Sequence, residues 1–184
     1  MISLIGNRPA LQIGRHQVID YDTAWLDDAL QRAAIAAEVE DFPFVADIRS
    51  GVIQYLETKC SLKLLQLEDL FERIKKMLEK IGCSHIAEKL VPLAPPVTVS
   101  LVHTAMEAGN GYELAFFETL RAELTDLRAA GAEKITFTGL RESSLILRGT
   151  DKYNKHCQVL TMEIESFLNT WSRENLSVGE YAVA

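Results

Sequence analysis

The chain has 184 residues, 48% of them apolar and 24% charged, with a formal net charge of −7. Acidic residues outnumber basic ones in both halves, which argues against nucleic-acid binding, because neutralising phosphates needs clustered Lys and Arg. Cys60, Cys83 and Cys157 lie far apart without metal-ligand spacing, so neither a zinc site nor a disulfide framework is expected.

In chain order, residues 1–19 are short apolar pieces broken by turn formers, with Gly6-Asn7 and Gly14 as the turns. They predict a hairpin or a three-stranded ribbon. Asp22 or Thr23 caps the first helix, in which Trp25, Leu26, Ala29, Leu30, Ala33 and Ala36 recur at helical spacing. Pro43 resets the chain. A second helix is expected over residues 45–58, burying Val45, Ile48, Val52, Tyr55 and Leu56. Residues 61–66 read as a linker.

A strongly amphipathic helix follows from residue 67, with Leu67, Leu70, Phe71, Ile74, Met77, Leu78 and Ile81 on one stripe. Its basic residues, Arg73, Lys75, Lys76 and Lys80, alternate with Glu72 and Glu79 and form a solvated face. Gly82 suits a left-handed helix end, and Ser84 caps a short helix over residues 85–90. Pro92, Pro95 and Pro96 then end the helical region, dividing a first domain (1–93) from a second (97–172).

In the second domain the period changes. Residues 97–102 alternate as a strand, MEAGNG is a turn, and residues 112–130 form a helix ending at Gly131. Residues 134–138 form a second strand, giving a β-α-β unit. Residues 143–147 are expected as an antiparallel third strand, followed by a capped helix to Trp171 and a loose tail over 173–184. The fold class expected is α+β.

Residues 10–91 resemble the ATP-cone domain, the regulatory nucleotide-binding module of ribonucleotide reductases and of their transcriptional repressor. Tyr21-Asp22 stands for the family's Phe-Asp at the first helix, followed by Leu26, Ala29 and Ala33. Ile48 and Val52 supply the apolar pair of the second helix, and Leu67-Glu68, Ile74, Leu78, Gly82 and Ala87 follow in the family's order. The resemblance implies a helical domain with a small β-ribbon, a regulatory role, and ATP or dATP held by Arg8, Arg15, His16 and Tyr21. The family's basic turn, of Lys-Arg-Asp-Gly type, is here Ile13-Gly14-Arg15-His16, with a single arginine. A triphosphate needs several cations or oriented N–H groups, so the resemblance admits either nucleotide sensing or a cone-like fold that has lost its ligand.

No triad, nucleophile elbow or dinucleotide fingerprint occurs. An alternative enzymatic site gathers His103, Glu107, Asn110 and Arg141 at the end of the first strand of the second domain. Arg141, Glu142, Ser143, Ser144 and Arg148 are a weaker anion-binding candidate. The preferred expectation is a non-catalytic regulatory or interaction protein, with a protein partner or self-association through the cone helices. No apolar run reaches the length of a membrane span, and residues 1–11 carry neither a basic leader nor a long apolar run. A cytoplasmic setting with no membrane partner is therefore expected.

Overall fold

The computed structural model describes residues 8–176 and 181–183; the extended piece expected at residues 2–5 and the turn at Gly6 and Asn7 lie outside them. The fold is α+β, in two units that divide between Pro95 and Pro96.

The first unit opens with β1 (Ala10–Ile13) and β2 (His16–Val18), antiparallel with Leu11 opposite Val18 and Ile13 opposite His16. Gly14 and Arg15 make the turn, and alternation along β1 buries Leu11 and Ile13 completely. The ribbon's third strand comes from the stretch read as a linker. Leu64–Gln66 forms β3, parallel to β1 with Ala10 opposite Leu64, so β1 lies at the centre of the sheet.

The helices are α1 (Ala24–Ala36), α2 (Val45–Thr58), α3 (Leu67–Lys80) and α4 (Ser84–Lys89). Asp22 accepts the Ala24 N–H at 3.1 Å, holding the entry to α1 without occupying the N-cap position itself. Ser84 is the first residue of α4 rather than its cap, which falls at Cys83. Buried alanines at 29, 33 and 34 bring α1 close to its neighbours α2 and α4, and α4 also packs on α3. On α3, Leu67, Leu70, Phe71, Ile74 and Leu78 are buried, each stabilising the fold by roughly 1.5–3 kcal/mol before entropy is counted. Trp25 meets Phe71 with ring centroids 6.0 Å apart. Gly82, at φ 84, ends the helix.

The second unit repeats a strand followed by two helices. β4 (Val97–Ser100), β5 (Ile135–Thr138) and β6 (Tyr181–Val183) form a parallel sheet with β5 in the middle. α5 (Leu101–Ala108) and α6 (Glu113–Ala129) connect the first two strands, and α7 (Leu140–Arg148) and α8 (Lys155–Asn175) the last two. Phe116, Leu120, Leu124, Phe137, Leu147, Cys157, Leu160, Ile164 and Leu168 are fully buried here.

Three expectations are corrected in this unit. The first strand stops at Ser100, whose hydroxyl accepts the His103 N–H, so residues 101–108, including the start of MEAGNG, are helical. The expected antiparallel strand at 143–147 is α7, because it buries Ser143, Ser144 and Leu147, a helical face. Both serine hydroxyls donate to carbonyls three residues back, Leu140 and Arg141, at 2.7 Å, which satisfies them without a partner strand. Their small size and Gly139 let α7 lie against α5: a Cβ at Gly139 would stand 2.5 Å from Val102 Cγ2. The third strand comes instead from the expected tail, and α8 extends four residues past Trp171.

Candidate functional site

The four residues assigned to a nucleotide site fall at two ends of β1. Arg8 precedes the strand, and its guanidinium meets Glu57 on α2 through Nε at 2.8 Å and a terminal nitrogen at 2.7 Å. Tyr21 is buried beside it, with its hydroxyl donating to the Pro9 carbonyl at 2.9 Å. Burial pushes the Tyr21 phenol up to about 12; the Arg8 charge opposes this and Cys60 adds to it. Arg15 and His16 stand beyond the other end of β1, Arg15 exposed on the turn and His16 half-buried at the start of β2. Five residues of extended chain from Arg8 to Ile13 separate the two groups by roughly 15–20 Å of backbone. The two arginines therefore do not form one cradle; Arg8 ties the start of the sheet to α2, and Tyr21 bonds the Pro9 carbonyl.

The alternative site is likewise dispersed. His103 sits in the first turn of α5, exposed, and Glu107 follows one turn later on the same face, also exposed. Asn110 lies past the far end of α5, its amide packed against Gly149. Arg141 stacks over the Tyr153 ring with its guanidinium carbon 4.5 Å from the centroid. Of the weaker anion candidates, Arg148 bonds Glu113 at 3.0 Å, and Ser143 and Ser144 are buried. No group of three or more metal-ligating side chains occurs among the described residues. No helix of the described residues is long and apolar enough to cross a membrane.

An apolar concave surface lies elsewhere, between α2 and α3. One half, about 180 Å³, is lined by Gly51, Val52, Tyr55, Leu70, Arg73, Ile74 and Met77. The other, about 370 Å³, is lined by Phe44, Asp47, Ile48, Met77, Ile81 and Cys83. Met77 lines both, so the two adjoin at that side chain along the α2–α3 groove. Phe44 is 50% and Ile81 52% exposed. Arg73 crosses one end, its guanidinium carbon 5.3 Å from the Tyr55 ring centroid. A separate, more polar cleft in the second unit runs between α6 and α8, past Arg121, Phe167 and Trp171.

The groove was signalled by an excess rather than a motif. Seven apolar residues share the α3 stripe, yet five suffice for the core; Met77 is half-buried and Ile81 largely exposed. An apolar stripe wider than the core it covers leaves a strip for another surface. Comparison with known proteins yields no matching family model, no matching curated protein and no matching solved structure.

Proposed function

We propose that the chain is a non-catalytic interaction protein whose first unit is an ATP-cone-like framework that no longer holds a nucleotide. The observation that carries this reading is the apolar groove between α2 and α3, with Phe44, Met77 and Ile81 open along it. Exposed aromatic and aliphatic side chains lining a concave surface are what a protein partner buries. Loss of the nucleotide is supported by the ion pair of Arg8 with Glu57 and by the distance from Arg8 to Arg15. One exposed arginine on the turn is a weak match for a triphosphate, which is otherwise held by several cations and N–H donors. The free thiols of Cys60, Cys83 and Cys157 support a cytoplasmic setting.

Calorimetric titration with ATP, dATP and ADP in the presence of magnesium tests the reading. Flat titrations are expected with all three. Saturable heat with ATP or dATP would overturn it in favour of a nucleotide sensor, and turnover of either would favour an enzyme.

A further inference from the structure

We infer that the occupant of the α2–α3 groove is a second copy of this chain, bound about a two-fold axis that crosses the groove at Met77. The inference rests on the interaction reading above and names the partner. Along the groove α2 and α3 run in opposite directions, since Asp47 and Ile81 share one half and Tyr55 and Arg73 the other. A Cβ placed on Gly51 would lie 4.0 Å from the Met77 sulfur, which marks the midpoint. Asp47 is one turn from Gly51 toward one end, and Arg73 is one turn from Met77 toward the opposite end.

The halves are both concave and carry opposite charges. The first, the wider of the two, is lined by the half-exposed Phe44 and Ile81 and carries the Asp47 carboxylate. The second is a hollow floored by Val52, Leu70 and Ile74, with the Arg73 guanidinium drawn across it over Tyr55. An isologous pair brings a patch against itself, so a residue meets whatever lies at the symmetry-related place. With the axis across the groove, the Phe44–Ile81 half of each copy lies against the Val52–Ile74 half of the other, and Asp47 of each comes opposite the Arg73 guanidinium of the other. With the axis along the groove, each half would face itself and Arg73 would face Arg73, which like-charge repulsion opposes. Of these two arrangements, only the crossed one sets opposite charges against each other.

The test is sedimentation velocity with light scattering on the full chain. The wild type is expected to approach twice the monomer mass by about 100 µM and to dissociate on dilution, as a modest interface does. Asp47→Arg and Arg73→Asp each weaken the dimer by about tenfold, because the two-fold counts each lost pair twice. The chain carrying both exchanges regains wild-type association within about threefold, since opposite charges again face each other. Both side chains are exposed, and circular dichroism of each variant verifies that the helices persist. Cys83, at the Phe44 end, supplies a reading without mutation: its alkylation, followed by mass spectrometry, slows as wild-type concentration rises. A wild type that stays monomeric, or a dimer indifferent to both charge exchanges, overturns the pairing. The interaction reading itself stands or falls with the nucleotide titrations, so the two failures are distinguishable.

Discussion

Replacing Tyr21 with Phe removes one buried hydroxyl and tests how the ribbon is fastened to the helices. The hydroxyl donates to the Pro9 carbonyl at 2.9 Å from a side chain only 7% exposed. At neutral pH its loss costs about 1–2 kcal/mol, because the carbonyl is left without that donor. The pH dependence is more specific. The folded phenol titrates at about 12, against 10.0 for an unperturbed tyrosine. The folded state thus holds the proton more tightly, and the associated stability is complete below pH 10 and lost as pH rises through 12. By pH 11 the wild type has lost about 1.4 kcal/mol from this source, whereas Tyr21→Phe has lost none. The two proteins therefore converge in stability between pH 8 and 11. Urea unfolding followed by Trp25 fluorescence measures this in a Trp171→Phe background, which confines the signal to the first unit. The other tyrosines titrate equally in both proteins and cancel in the difference. A gap that stays constant from pH 8 to 11 would refute the assignment.

Two further substitutions probe the packing. Gly149→Ala should destabilise the second unit by about 1–2 kcal/mol, chiefly because its φ is +59; the new Cβ, 2.1 Å from Asn110 Nδ2, has only to displace the end of an exposed side chain. Adding Asn110→Ala should recover under about 0.5 kcal/mol and leave the backbone strain, read as the difference between thermal unfolding midpoints. On α3, Leu78→Ala should cost about 2–5 kcal/mol while Ile81→Ala costs under about 0.5 kcal/mol, as the first is fully buried and the second 52% exposed. Urea midpoints check this pair, and equal losses would contradict the division of the stripe between core and groove.

What the sequence revealed and concealed follows from the range of the forces involved. The span of α2, the start of α3 at Leu67 and its end at Gly82 are set by local periodicity and a left-handed glycine, and all are legible. β3 is concealed because only Leu65 of its three residues is buried and its partner β1 lies more than fifty residues away. Ser143–Leu147 misleads because a run rich in leucine and isoleucine, bounded by glycines, fits a strand as well as a short helix. Two buried serines bonded to their own helix decide the matter, and their burial is a tertiary fact. The expected nucleotide residues are grouped by the resemblance, yet an extended strand carries Arg8 away from Arg15 and leaves Arg8 facing Glu57 on α2. Nothing local to either arginine announces that carboxylate.

In both units a strand passes into a helix with no intervening residue: Gln66 closes β3 and Leu67 opens α3, and Ser100 closes β4 and Leu101 opens α5. Strand register and helix phase are therefore geared together at these two junctions. One residue added at the first would turn α3 by about 100° about its own axis. Leu67, Leu70 and Phe71 would rotate off the core while Leu65 kept its place in the sheet. Slipping the strand instead would preserve the helix phase but turn Leu65 outward and Leu64 or Gln66 inward. Boundaries between elements are usually where a chain best accommodates a change of length. Here they are rigid couplings, and the longer irregular connections of the first unit are residues 37–44 and 59–63.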